Sequence, residues 1–326
     1  MAVWTKRWES AVRWLAAAAL LGVLGLTGCG KQPAPPEQAS TPEGAPAVAG
    51  NKETKSGSSE TKDDPAKAPL PQDGKHEPFA KVTRGGDDPP PNSNPPPDVT
   101  VSGKPVYKIY KEVLALWDTI RFVTPDGKPI HYSATVETDS GNIEIALRPD
   151  IAPNHVRNFV ALARAGYYDG LFFDRICHEE TEIEPGKVQV FDSIEAGCPL
   201  GTGEPGNGSI GYWLKPEFGS DRQDAGPTGS GDSAKVTHEP GTVGACHGIE
   251  ADTAACRFYI TLCDAPFLDG NFTVFGKVTQ GLEVARIMSK QPTREYEEDV
   301  AGSFRPDKPI KIKKVTIHTS VAEASR

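Results

Sequence analysis

LFFDRI, residues 171–176, is a short apolar run that contains one acid and one base. A run of large apolar and aromatic residues that follows Asp169-Gly170 predicts a buried β-strand. A guanidinium in a buried strand needs partners, because leaving it unpaired costs several kcal/mol. Arg175 is therefore either one half of a structural ion pair, for example with Asp174, or a donor at the floor of a binding groove.

The chain around this run, residues 132–320, alternates short β-type segments with turn residues. Residues 135–147 contain two such segments around a polar turn and predict a hairpin. Residues 153–166 begin with proline, carry a single apolar stripe and end in glycine, which predicts a helix. A second helix is predicted over residues 282–289. Many strands with two helices favour a closed barrel capped at its ends.

The composition limits the partners that this chain can have. It has 326 residues, 24% of them charged, and a formal net charge of -9. Nucleic-acid binding requires a concentrated basic surface, and the lysines and arginines here are spread along the chain, so we expect no nucleic-acid partner. Two Cys-His pairs, at Cys177 and Cys246, lack the spacing of a zinc finger. A Cys/His nucleophile is also unsupported, because nothing ties a base and an oxyanion site to one thiol.

Residues 1–28 predict an export signal. A basic start precedes an apolar run, residues 14–26, that is too short to cross a bilayer comfortably. The run ends in LTGC at residues 26–29, which resembles the lipobox of bacterial lipoproteins. The resemblance implies acylation of Cys29 and a lipid-anchored, extracytoplasmic protein of the cell envelope. An ordinary secretory signal with a stray cysteine is the alternative.

Residues 29–98 predict a disordered, proline-rich tether. Half of the prolines, 15 of 30, fall between residues 30 and 98, with few large apolar groups. Such a segment cannot bury enough surface to offset its ordering entropy. A proline-rich ligand for a partner domain is the alternative. Residues 99–131 predict a bridging segment with an amphipathic helix at 105–123, or a strand that pairs with the edge of the following domain.

The ordered motifs of residues 132–320 resemble the cyclophilin-type peptidyl-prolyl cis-trans isomerases. They are APNHVRNFVALARAGYYDG, LFFDRI, GTGEPGNGSIGYWLKPEF, HEPGTVGA, RFYITL, FLDGNFTVFGKV and GLEVARI. Each motif alone is weakly specific, but their order along the chain is that of the family. The resemblance implies an all-β fold: a closed eight-stranded antiparallel barrel with two capping α-helices, preceded by a disordered linker. It places the binding groove on the outer face of the barrel.

The resemblance also implies an enzymatic activity. Amide resonance opposes rotation about a peptide C–N bond with a barrier of about 18–20 kcal/mol, and a donor aimed at the prolyl nitrogen weakens that resonance. The arginine that does this in the family falls on Arg175. We therefore expect a peptidyl-prolyl isomerase that acts on X-Pro bonds of exported proteins. Its expected partners are proline-containing polypeptide segments and the membrane, through the lipid anchor, and we expect a monomer without a cofactor.

The rest of the groove departs from the family pattern and predicts a divergent active site. The resemblance assigns substrate binding to these residues: Glu195, Arg257, Phe258, Tyr259, Phe267, Leu268 and, if the alignment slips by one, Phe191. Three further positions carry residues that are unusual for the family: Cys246, His247 and Phe272. Glu195 and Arg257 replace two neutral glutamines. We expect Glu195 to pair with Arg257, or with Arg175 in competition with the substrate. A catalytically degenerate module that binds proline-containing peptides without turnover is therefore the alternative.

Five cysteines remain once Cys29 is set aside, so at least one is free or paired between chains. An export signal makes disulfides permissible. Two of the cysteines flank one loop that the barrel would close, and two others flank an insertion that follows Arg175. We therefore predict the bridges Cys246–Cys256 and Cys177–Cys198, with Cys263 buried and free.

Overall fold

The computed structural model describes residues 81–82, 93–204, 208–218, 236–295, 304–308 and 310–321. The predicted signal peptide (1–28), the predicted lipidation site Cys29 and most of the predicted tether (29–98) lie outside these residues. In the part that is described, no helix combines the length and the apolar character needed to cross a membrane.

The predicted closed antiparallel barrel is confirmed. The strands of the described residues are β1 Lys81–Val82, β2 Ile130–Thr138, β3 Gly141–Leu147, β4 Phe172–Glu184, β5 Lys187–Ala196, β6 Tyr212–Trp213, β7 Thr242–Ala245, β8 Phe258–Thr261, β9 Val274–Gln280, β10 Thr293–Glu295, β11 Phe304–Pro306 and β12 Ile310–Val321. Eight of them close the barrel in the order β12-β2-β3-β9-β7-β8-β5-β4. Short pairs outside it are formed by β1 with β6 and by β10 with β11.

Alternation of side chains explains how the strands face the barrel core. In β2 and β3 every second residue is buried, as expected for strands with one face in the core and one near solvent. The predicted hairpin between them is present, with Val136 opposite Ile143 and Thr138 opposite Gly141. The first of these pairs is fully buried. The core therefore lies inside the barrel.

Three α-helices accompany the barrel in the described residues: α1 Val106–Trp117, α2 Pro153–Arg164 and α3 Leu282–Ser289. The last two are the predicted capping helices. The apolar stripe of α2 is fully buried at Val156 and Val160. Gly166 follows the helix with a φ of +67°, a left-handed conformation that glycine adopts without strain at helix ends.

The bridging segment is helical, which decides between the two structures predicted for it. One face of α1 is buried, including Val106, Val113 and Trp117. The segment packs on α2, because the guanidinium of Arg157 lies 5.9 Å from the Trp117 ring and 4.8 Å from the Phe122 ring. Within the predicted tether, β1 pairs with β6.

The insertion that follows Arg175 is an extension of a strand pair. β4 and β5 pair from Phe173 opposite Ala196 out to Glu184 opposite Lys187. Because β5 also pairs with β8 along Ser193 to Ala196, only the outer part of this hairpin extends beyond the barrel. The register places Arg175 opposite Glu195.

Candidate active site

A second, smaller apolar cluster lies apart from the main core. Its buried members are Cys177, Phe191, Tyr259, Ala265, Leu268 and Phe272. The members on β5 and β8 alternate with residues of the main core, so the cluster belongs to the outer face of the barrel wall. This is the face on which the sequence placed the groove.

This outer cluster walls a pocket of about 560 Å³, a volume that includes its opening to solvent. The pocket is lined by Arg175, Phe191, Ser193, Glu195, Gly208, Cys246, His247, Thr253, Arg257, Tyr259, Leu268 and Phe272. Six of these were named as site residues from the sequence. Ser193 was not, although strand alternation between Phe191 and Glu195 would have found it. Gly208 lies in a loop and Thr253 ends a short 3-10 helix, Ala251–Thr253, so strand alternation could not have indicated either of them.

Phe258 was predicted to form the groove wall, and that prediction is wrong. Its ring packs in the main core against Phe159 at 5.5 Å and Tyr168 at 5.7 Å. Successive residues of a strand face opposite sides, so only Tyr259 of this pair can reach the pocket. Phe267 packs edge-on against Phe191 at 5.4 Å and supports the wall from behind without lining the pocket.

Arg175, on β4, lies at the pocket wall in contact with the carboxylate of Glu195 on β5. Nη1 of Arg175 donates to Oε1 of Glu195 at 3.1 Å, and the two residues are 5% and 3% exposed. A β-bulge between Phe173 and Arg175 precedes this cross-strand pair. The two strands thus hold donor and acid side by side at the pocket.

Arg257 holds the other oxygen of the same carboxylate. Its Nη2 donates to Oε2 of Glu195 at 2.7 Å, so both pairings considered from the sequence occur together. The same guanidinium donates to the carbonyl oxygens of Gly203, at 3.3 Å, and Glu204, at 2.8 Å. Glu195 therefore bridges two buried arginines, and Arg257 also fixes the neighbouring loop.

Asp174 completes this group of charges. Its Oδ1 lies 3.6 Å from Nη2 of Arg257, and its Oδ2 accepts the backbone N–H of Cys198 at 3.2 Å. Burial raises the pKa of the Asp174 carboxyl to about 7, although the charge of Arg257 opposes the shift. Burial acts against the charge of Arg257 as well, but the carboxylates of Glu195 and Asp174 together raise the pKa of that guanidinium.

The two predicted disulfides, Cys177–Cys198 and Cys246–Cys256, are absent: all five cysteines of the described residues are free. The predicted partners face different surroundings. Cys177 and Cys246 lie 3.8 and 3.7 Å from the two oxygens of Glu195. Cys198 contacts the Thr202 hydroxyl at 3.6 Å, and Cys256 belongs to the main core. Cys263 was predicted to be buried; it is free but partly exposed.

Two histidines stand at this site to which the sequence assigned no role, although His247 was noted as an unusual residue of the groove. His247 lines the pocket and stacks on the Phe272 ring at 4.2 Å. His238 lies behind Tyr259 and contacts its hydroxyl at 2.8 Å. Its position follows a stretch outside the described residues, and no spacing in the sequence relates it to Tyr259.

Comparison with known families agrees with this architecture. The model of the cyclophilin type peptidyl-prolyl cis-trans isomerase/CLD family matches residues 133–317. The matched range begins within β2 and ends within β12, so it spans the barrel and every lining residue of the pocket.

Individual relatives match the same part of the chain. Peptidyl-prolyl cis-trans isomerase B of Bacillus subtilis is 39% identical over 151 residues, which are 46% of this chain and 85% of the relative. The peptidyl-prolyl cis-trans isomerase of Helicobacter pylori is 35% identical over 153 residues, 46% of this chain and 76% of that protein. The human peptidyl-prolyl cis-trans isomerase-like 3 is 30% identical over 188 residues, 58% of this chain and 97% of that protein.

Among solved structures, a Cryptosporidium parvum cyclophilin type peptidyl-prolyl cis-trans isomerase matches with a TM-score of 0.45 and 22% identity. The match covers 58% of this chain and 99% of that one.

Proposed function

The chain belongs to the cyclophilin-type peptidyl-prolyl cis-trans isomerase family, and from that membership we propose that it accelerates rotation about X-Pro bonds with Arg175 as the donor to the prolyl nitrogen. The observation that carries the proposal is the position of Arg175. It is buried at the wall of a pocket whose other side chains include Phe191, Tyr259 and Leu268. A proline ring can bury its apolar surface against such side chains while the guanidinium remains beside the amide.

The chemistry follows from amide resonance. The planar amide nitrogen shares its lone pair with the carbonyl, which creates a rotational barrier of about 18–20 kcal/mol. In the twisted transition state the lone pair returns to nitrogen and can accept a hydrogen bond. A fixed N–H donor in a desolvated pocket therefore stabilises the transition state more than the ground state. An acceleration of about 10⁵ requires roughly 7 kcal/mol of such differential stabilisation, without a covalent step.

Glu195 tunes this donor through its charge. A carboxylate that already accepts from Nη1 of Arg175 reduces the positive potential that the guanidinium presents to an incoming lone pair. Arg257 donates to the other oxygen of the carboxylate, Oε2, and its positive charge partly offsets the negative charge of Glu195. We therefore expect catalysis that is weaker than that of the same site with a neutral side chain at Glu195.

Peptide binding without turnover is the second candidate function, and the contact between Arg175 and Glu195 favours it. If the ion pair persists when a peptide is bound, the pocket can hold a proline ring while the donor stays engaged. A peptide would then bind with measurable affinity but isomerise no faster than without the protein. Uncatalysed isomerisation of X-Pro bonds takes about tens to hundreds of seconds.

The test is isomerisation of an Ala-Pro tetrapeptide, followed by protease coupling or by NMR exchange. Arg175→Ala is expected to lower kcat/KM by about 10²-fold or more, as losses of electrostatic donors do. The exposed Arg148 provides the control as Arg148→Ala, with unchanged kcat/KM. Wild-type rates in Arg175→Ala exclude this arginine as the donor. Background rates in the wild type, with peptide binding by calorimetry, identify the binding module.

We also propose that the substrates are exported polypeptides and that Cys29 is lipidated. The support is the apolar run ending in LTGC at residues 26–29. Palmitate labelling of cells that express the full chain tests this proposal. Cys29→Ser should lose the label and leave the membrane fraction, whereas Cys263→Ser should keep both. Labelling that survives in Cys29→Ser would contradict it.

A further inference from the structure

The hydroxyl of the pocket tyrosine is held from behind by a buried histidine. Tyr259 is 3% exposed, and its hydroxyl lies 2.8 Å from Nε2 of His238, which is 2% exposed. The two rings are inclined by 21° with centroids 6.0 Å apart. On the far side, Nδ1 of His238 lies 2.8 Å from Oδ1 of Asp269, and that oxygen also accepts the backbone N–H of His238 at 2.9 Å.

The direction of these hydrogen bonds follows from the chemistry of the groups. An ionised carboxylate only accepts, so the proton of a neutral imidazole lies on Nδ1 and points at Asp269. Nε2 is then an acceptor, and the Tyr259 hydroxyl must donate to it. Burial acts in the same sense, because it lowers the pKa of His238 and raises the pKa of Tyr259. The Tyr259 hydroxyl proton therefore points away from the pocket.

The surroundings leave the tyrosine ring little room to move. Tyr259 on β8 pairs with Gly244 on β7, and a Cβ at that glycine would lie 2.2 Å from Cζ and Oη of the tyrosine. The Phe272 ring packs edge-on at 5.9 Å. A glycine that makes room for the ring and a histidine that holds its hydroxyl together define one position for this pocket wall.

We propose that His238 is a positioning residue for the reaction: oriented by Asp269, it holds the Tyr259 hydroxyl and thereby fixes the aromatic wall against which the prolyl ring packs. His238 does not line the pocket and acts only through Tyr259. The kinetic test of this proposal rests on the proposed function, because it needs isomerase activity. The spectroscopic test does not depend on that activity.

The kinetic test uses two replacements of His238 that differ in reach. His238→Asn keeps an amide donor near the Nδ1 position but has no atom at Nε2, whereas His238→Gln places an amide near Nε2. Because losing one hydrogen bond typically changes an equilibrium about fivefold, His238→Asn is expected to raise KM about fivefold with kcat within twofold. His238→Gln should recover most of that loss.

The double variant decides whether His238 acts through Tyr259. In a Tyr259→Phe background, where no hydroxyl remains to be held, His238→Asn should change KM by less than about twofold. Equal effects of His238→Asn in both backgrounds would show a general structural role and overturn the proposal. An unchanged KM in His238→Asn alone would do so as well.

Nitrogen NMR of the full chain tests the same contact without any assay of catalysis. In the wild type, the His238 ring should show the neutral tautomer protonated at Nδ1, and Tyr259→Phe should shift the Nε2 resonance. A tautomer protonated at Nε2, or an Nε2 resonance unmoved by Tyr259→Phe, would overturn the proposal even if His238→Asn did not fold. If the wild type lacks isomerase activity, the affinity for an Ala-Pro tetrapeptide replaces KM as the measured quantity. Failure of the proposed function can then be distinguished from failure of the proposal for His238.

Discussion

Arg175 and Glu195 form a buried ion pair across two barrel strands, with Nη1 of the arginine 3.1 Å from Oε1 of the acid. The pair lies in the wall of the pocket on the outer face of the barrel. A second arginine, Arg257, shares the same carboxylate at 2.7 Å. Removing one member of such a buried group leaves an uncompensated charge, which typically costs about 3–5 kcal/mol. Activity and stability are therefore expected to respond in opposite directions to changes at Glu195.

Glu195→Gln should raise catalytic efficiency. The neutral amide keeps the size of the side chain but no longer offsets the charge of Arg175, so the guanidinium becomes a stronger donor in the transition state. We expect kcat/KM for an Ala-Pro tetrapeptide to rise by about 3- to 10-fold, where tenfold corresponds to 1.4 kcal/mol of barrier. The exposed Glu250 provides the control as Glu250→Gln, with no change. A fall in kcat/KM for Glu195→Gln would mean that the acid orients Arg175 productively.

Glu195 and Arg257 should be strongly coupled in stability. Each single variant, Glu195→Gln or Arg257→Gln, leaves an unbalanced charge in a buried site and should lower the free energy of unfolding by about 3 kcal/mol. The double variant removes both charges together and should cost about 2–3 kcal/mol less than the sum of the singles. Urea unfolding of the four proteins measures this coupling.

The exposed ion pair between Arg148 and Asp150, 2.6 Å long, is the matched control for that cycle. Its two side chains are about half exposed, and surface pairs typically couple by less than about 1 kcal/mol. Similar coupling for Glu195–Arg257 and for Arg148–Asp150 would indicate that solvent reaches the buried pair.

The barrel could be predicted because the sequence patterns that specify its strands and helices are local and recur along the chain. Alternation along β2 and β3 and the single stripe of α2 each report a buried face, and family motifs in a fixed order give the topology. The bridging helix α1 left two structures open, because a short apolar pattern fits either a helix or a strand until its neighbours are known. Its packing against Arg157 resolves the choice.

Residues of the candidate site could be predicted only where they belong to a motif of the family. Arg175, Glu195 and Tyr259 follow from the family's order, but Phe258 was assigned to the wrong face, because the motif names two aromatics and only strand alternation separates them. The prediction of the two disulfides was wrong for a related reason. Two cysteines can be close along the chain and still face different sides of the barrel wall. His238 meets Tyr259 only through the barrel's closure, which local patterns do not record.

Asp174 should make stability depend on pH in the neutral range. Its pKa in the folded protein is raised to about 7 by burial, above the value of about 3.9 for an exposed aspartate. Between these values the folded state keeps a proton that the unfolded state has released, so the stability contributed by this group falls as pH rises and is lost above pH 7. Relative to Asp174→Asn, the wild type should lose roughly 2–3 kcal/mol between pH 5 and pH 7.

Urea unfolding at pH 5, 6, 7 and 8 measures this difference. The exposed Asp118 serves as the control, since Asp118→Asn should follow the wild-type curve at every pH. Parallel pH profiles for the wild type and Asp174→Asn would show that Asp174 is ionised in the folded protein throughout the range.

Cys263 should be the reactive thiol of the native protein. Burial raises the pKa of both Cys177 and Cys256 to about 12, so about 10⁻⁴ of either thiol is ionised at pH 8. Two thiols, Cys246 and Cys263, are partly exposed; burial raises the pKa of Cys246 well above its ordinary value, and it raises the pKa of Cys263 as well. An aromatic disulfide reagent at pH 8 should therefore label one thiol of the native Cys29→Ser chain rapidly and the others far more slowly, and Cys263→Ser should remove the fast phase.

Denaturation then tests the absence of disulfides in the same sample. Without reductant, the unfolded Cys29→Ser chain should release colour equivalent to all five remaining cysteines, because none of them is bridged in the folded domain. One thiol in place of five would mean that both predicted bridges form in the oxidised protein. The outer wall of the pocket would then have to rearrange, since Cys177 and Cys246 could no longer contact the Glu195 carboxylate as they do here.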